Sequence, residues 1–199
     1  MLLWGMSLDG ILGALISIVI IKAGIEMLAS PVNELLGTSI SAELTKQIIK
    51  EVSDFEGVRS VFDLIMHNYG PDVKIGSLHI NVYDTMSAHE IHGLTRKITM
   101  QMIERHGIIM TVGVYAIATG KNRHAELQTQ VMQTLAAHKD IVQVHGFYYS
   151  EKDRMLSVDV VPDISVHDEA AFVTKLTSEI QPLVPGMQVI IVVDHNYSE

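Results

Sequence analysis

Apolar residues follow three different patterns along this chain, and each predicts a different element. From Ile11 to Ile21 the run ILGALISIVII carries no charge, and apolar character continues past Lys22 through Ala23, Gly24, Ile25, Met27 and Leu28. Counted from Leu8 to Leu28, the stretch has about the 20 residues a helix needs to cross a bilayer. Gly10, Gly13, Ala14, Ser17 and Gly24 recur at roughly helical spacing, which permits close approach of neighbouring helices in lipid. Lys22 can snorkel to an interface. Asp9 before the run, and Lys22 with Glu26 after it, are the wrong flanks for a cleaved signal peptide. A buried helix of a soluble protein could carry a similar run; its length favours a membrane span, and a single span presenting glycines points to a larger bundle. Ser30-Pro31 predicts the end of the helix, and Leu35-Leu36-Gly37 a short loop.

The second pattern is a four-residue step. Leu44, Ile48 and Val52 predict a helix over 42–53, and Ile91, Leu94, Ile98 and Met102 another behind Ser87-Ala88-His89-Glu90, which fits the S-x-x-E capping box. The third is alternation. Segments 58–67 and 73–83 are rich in β-branched and aromatic residues, with Leu78, Ile80 and Val82 on one face. Between them Asn68-Tyr69-Gly70-Pro71-Asp72 is turn chemistry. A third strand follows over 108–117, so the order is αββαβ.

The same order then returns. Leu127, Val131 and Leu135 mark a helix, 141–161 a hairpin, Ser165-Val166-His167-Asp168 a helix start, and 188–194 a closing strand. Gly107 matches Gly186 and Val61 matches Val144. The chain therefore reads as α+β: a transmembrane helix over 1–30, then two tandem open ferredoxin-like αββαβ units over 38–118 and 122–199, joined by the polar stretch Thr119-Gly120-Lys121-Asn122-Arg123. Alternation puts His79 on the sheet face away from the core, where it meets solvent or a partner subunit.

Composition narrows the function. A net charge of −9 with no Lys/Arg-rich run argues against nucleic acid as a partner. With no cysteine there are no disulfides, thiolate metal sites or cysteine nucleophiles, and the ten histidines become the candidates for metal chemistry. No G-x-G-x-x-G, Walker-type loop or G-x-S-x-G occurs, and His89-Glu90-Ile91-His92 lacks the spacing of H-E-x-x-H. An enzyme is not expected. Asp63 and His67 share a strand face by alternation and would pair across it. His145, His167, Asp194 and His195 read as surface groups.

The motifs carry a resemblance. L-D-G-I-x-x-x-x-I-S-x-x-I-I-K-A-G-I-E at 8–26, Leu35-Leu36-Gly37, F-E-G-V-R-S-V-F-D-L-x-x-H-N-Y-G-P at 55–71 and S-L-H-I-N-V at 77–82 together resemble the last membrane helix and cytoplasmic domain of the cation diffusion facilitator family. The similarity covers residues 1 to about 118, and the second copy resembles an extra cytoplasmic module of bacterial members. The resemblance implies a membrane exporter of zinc, manganese or related divalent ions, dimeric, driven by proton exchange, with its transport site on earlier helices. It makes this chain a C-terminal portion or truncated product, in the cell membrane among lipid, with both units cytoplasmic. It also implies a regulatory cytoplasmic metal site whose positions here are His79 in the second strand and His89 at the second helix. Phe62 stands where another histidine would be, and Gly113 and Tyr115 replace a His-x-Asp. In the second copy His145 takes the Phe62 position, Asp194 the Tyr115 position, and Ser157 or Val158 falls opposite His79. The candidate ligands for zinc or manganese are thus His79, His89, His145 and Asp194. Each copy keeps only a subset, so weak binding or none is expected. The alternative is a membrane-tethered interaction and dimerisation module that binds no ion.

Overall fold

Local pattern and local structure agree over most of the chain. A computed structural model describes residues 2–3, 6–35, 41–68 and 73–194. Two-residue strands β1 (Leu2–Leu3) and β2 (Met6–Ser7) pair antiparallel ahead of α1 (Leu8–Leu35). Within α1 the window Gly10–Met27 has a mean hydropathy of 1.9 and is wholly unburied, which makes this a helix long and apolar enough to cross a membrane. Ser17 Oγ donates to the Gly13 carbonyl at 2.8 Å, which keeps the hydroxyl satisfied on an apolar helix. The expected stop at Pro31 is not observed. Proline lacks one donor and crowds the preceding turn, but it does not forbid continuation, and α1 runs on to Leu35.

The first unit consists of α2 (Ala42–Ser53), β3 (Ser60–Asn68), β4 (Lys74–Tyr83), α3 (Ala88–His106) and β5 (Ile108–Ile117). Ser41 caps α2, and the Ser87–Glu90 capping box opens α3 with both reciprocal bonds formed. Gly107 closes α3 at φ 64°, the left-handed cap that glycine adopts without strain. The sheet order is β3-β4-β5, antiparallel then parallel. Ile48 and Val52 of α2, and Leu94, Ile98 and Met102 of α3, cover Leu78, Ile80 and Val82 of β4 to make one core.

The second unit repeats this with α4 (Arg123–Ala136), β6 (Ile141–Ser150), β7 (Met155–Pro162), α5 (Glu169–Ile180), a 3-10 turn over Gln181–Leu183 and β8 (Gln188–Val193), in sheet order β6-β7-β8. Its core sets Leu127, Val131 and Leu135 with Phe172, Leu176 and Ile180 against Leu156, Val158 and Val160. The cap of α5 is Asp168, not Ser165; Ser165 instead donates to Asp163 Oδ1 at 2.6 Å in a tight turn. The turn expected at Asn68–Asp72 lies, apart from Asn68, outside the described residues, as do Leu36, Gly37 and His195.

One irregularity is shared by the copies. Pairing slips between Phe62 and Ile65 in β3, and between His145 and Tyr148 in β6. At both bulges one residue is left-handed, Asp63 at φ 55° and Gly146 at φ 63°. A bulge rotates the chain locally, so neighbouring side chains need not point to opposite faces. The second copy places glycine, the residue suited to this conformation, where the first places aspartate.

Candidate metal centre

Strand register defines which residues of the two units are equivalent. Phe62 pairs with His79 across β3–β4 as His145 pairs with Asp159 across β6–β7. His79 lies beside Gly113 and Asp159 beside Val192, which puts Tyr115 and Asp194 in corresponding places two residues on. The partner of His79 in the second copy is therefore Asp159, not Ser157 or Val158: the bulge and the shorter hairpin shift the alignment read from sequence. His145, expected at the surface, is 2% exposed.

These residues meet between the units, and Asp63 joins them. Its Oδ2 lies 2.9 Å from His79 Nδ1, and its Oδ1 lies 2.8 Å from His145 Nε2. The expected pairing with His67 is absent; His67 is exposed, because the bulge turns Asp63 toward the second unit. Asp194 Oδ2 is 3.4 Å from the same His145 nitrogen. Tyr115 Oη is 3.2 Å from Asp63 Oδ2 and 3.1 Å from Asp159 Oδ2, and its one proton serves one carboxylate at a time.

Aromatic rings wall the cluster. Phe62 stacks on His145 with centroids 5.0 Å apart, and Tyr115 stacks on His79 at 4.6 Å. Mid-strand glycines make the space: a Cβ at Gly113 would run into the His79 ring, and one at Gly146 into the Asp159 carboxylate. Gln143 lies 3.4 Å from His145 Nδ1, the ring atom facing away from the carboxylates.

The electrostatics follow from crowded carboxylates in a half-buried space. Burial opposes ionisation of Asp63, but the His145 imidazole 2.8 Å away and the charges of His145 and His79 prevail, and the pKa is lowered. Burial likewise opposes a charged His145, yet Asp63, Asp159 and Asp194 together raise its pKa. Asp159 is raised, by burial first and then by the charges of Asp63 and Asp194. Tyr115 is raised by burial and by the charges of Asp159 and Asp63, to which its hydroxyl is hydrogen-bonded. Despite the short distances, neither His79 Nδ1 nor His145 Nε2 meets hydrogen-bond geometry with any group among the described residues, although both atoms are buried. Two buried nitrogens thus point among carboxylate oxygens without the directed bonds such atoms normally make.

That donor set fits a divalent cation. Asp63, His145 and Asp194 each offer a ligand atom, all within 4.8 Å of one another. Three imidazole and carboxylate donors at that spacing match a zinc-type site that keeps one coordination position open. Of the four ligands expected from sequence, the structure brings His79, His145 and Asp194 around Asp63. It leaves His89 apart: exposed in the first turn of α3, it lines a separate groove with Glu51, Glu56 and Arg59. His92 and His167 are exposed. Sequence reasoning missed Asp63 and Asp159 as site residues. The available signal was the pair of glycines inside strands, Gly113 and Gly146, which mark close approach of a neighbouring group.

Residues 40–114 match the family described as cation efflux protein, cytoplasmic domain. The resemblance to cation efflux proteins is thus found over the first unit. No curated protein matches the chain. Among solved structures, CzrB, described as a candidate zinc transporter, is 19% identical, with 41% of this chain and 99% of that one covered at a TM-score of 0.36. A second, APE1850, is 14% identical, with 76% of this chain and 99% of that one covered at a TM-score of 0.23.

Proposed function

We propose that this chain is the C-terminal part of a divalent-cation efflux transporter of the cation diffusion facilitator family. In this reading α1 is its last membrane helix, and the two αββαβ units lie on the cytoplasmic side. The observation that carries it is order: the segment matching the cation efflux cytoplasmic domain, 40–114, directly follows a wholly exposed apolar helix. The complete transporter exchanges its cation for protons, while this part pairs two chains and senses the ion. The sensing site is Asp63, His145 and Asp194, with His79 beside Asp63. Mixed imidazole and carboxylate donors suit zinc or manganese. His89 is not assigned to it.

The full chain should partition with membranes and, purified in dodecyl maltoside, take up zinc or manganese in a calorimetric titration. A chain that stays in the aqueous fraction without detergent would sink the membrane assignment. Absence of heat with both ions would favour a tethered interaction module.

A further inference from the structure

We propose that the ion held by Asp63, His145 and Asp194 is a clasp within one chain, one ion per chain, which fixes how the two αββαβ units face each other. This rests on the metal reading above and adds what the ion does there.

The ligands come from both units. Asp63 belongs to the β3 bulge of the first, whereas His145 on β6 and Asp194 just beyond β8 belong to the second. Their donor atoms lie within 4.8 Å of one another only because the units are face to face. His145 has a fully buried side chain, and its Nε2, aimed between Asp63 and Asp194, has no directed hydrogen bond among the described residues. A buried imidazole nitrogen in that position is a ligand atom without its usual partner. His79 Nδ1 lies on the other Asp63 oxygen, beside the three-ligand group, and orients that carboxylate. Asp63, Asp159 and Asp194 converge there, so without a cation the units would meet across several carboxylates facing two imidazoles. A divalent ion supplies the missing positive charge and is coordinated from both sides.

Equivalence between the copies sets the stoichiometry. The positions matching Asp63, His145 and Asp194 are Gly146, Phe62 and Tyr115. No chelating group stands at the first two, and the third is a phenol already engaged between Asp63 and Asp159. The symmetry-related position therefore cannot hold a second ion. Its residues support the first: Phe62 stacks on His145, and Tyr115 stacks on His79 while bridging Asp63 and Asp159. A second chain is not needed to complete the ligand set.

The absence of cysteine makes the test direct. Spin labels at Arg96→Cys on α3 and Thr174→Cys on α5, both exposed, report the distance between units in the full chain in detergent. Zinc chloride should narrow the distance distribution relative to EDTA, with one zinc per chain by calorimetry. His145→Gln should abolish the narrowing and weaken binding at least tenfold. Asp194→Asn, a change at the partly exposed end of β8, should do the same if the histidine variant does not fold. Zinc binding without any change in the distribution would overturn the clasp and leave the metal reading intact. Two ions per chain, or a zinc-dependent distance between mixed singly labelled chains, would overturn it equally. No zinc binding at all would remove the metal reading and the clasp with it.

Discussion

Asp63→Asn isolates the charge at the centre of the cluster. Asparagine has the shape of aspartate and tolerates left-handed backbone as well, so the bulge at φ 55° survives and the backbone contribution cancels. What is lost is a carboxylate, 12% exposed, between His79 at 2.9 Å and His145 at 2.8 Å. Stranding a fully buried charge costs about 3–5 kcal/mol, but Asp159 and Asp194 remain near the His145 imidazole and offset part of that cost. The loss then falls to that of charge-assisted contacts, about 1.5–3 kcal/mol. At about 2–4 °C per kcal/mol for a protein of this size, the melting temperature in EDTA should fall by about 3–12 °C. Zinc affinity should fall further than the 10–100-fold typical of disturbing a group behind the ligands, because a ligand itself is removed. Near-UV circular dichroism melts and calorimetry on the full chain in detergent measure both. A variant that melts with the native protein and binds zinc equally well would refute the assignment of Asp63.

Two further outcomes test the surrounding structure. Gly146→Ala should destabilise by about 1–2 kcal/mol from the left-handed backbone alone and also displace Asp159, whereas Gly93→Ala, in α3 with open space at its Cβ, should stabilise by about 0.5–1 kcal/mol; urea denaturation of both gives the contrast, and equal effects would contradict it. Burial opposes ionisation of Glu51, but hydrogen bonds from Gln47, His106 and Gln101 outweigh it and lower the pKa below 4.5. Its stabilisation is therefore complete above that value and is lost as pH falls through the lowered one; stability measured from pH 6 to 3 should decline less steeply in Glu51→Gln, and parallel curves would count against the network.

Much of this protein is legible from neighbours along the chain. Helical spacing at Leu44, Ile48 and Val52, alternation at Leu78, Ile80 and Val82, and the capping box at Ser87 each depend on residues within a turn or two, so the sequence alone determines both αββαβ units and the apolar helix ahead of them. Even local signals fail where two compete: Asp168 displaces Ser165 as a cap, and α1 passes through Pro31. The site is another matter. Reading ligands copy by copy leaves each unit incomplete, with His79 in one and His145 and Asp194 in the other. Only the packing of one sheet against the other pools them. Asp63 enters because a bulge holds a non-glycine residue at positive φ and turns a core-facing position outward, which no periodicity encodes. A coordination set needs donors a few ångströms apart in space, and here those donors are separated by most of the chain in sequence; tertiary structure alone brings them together.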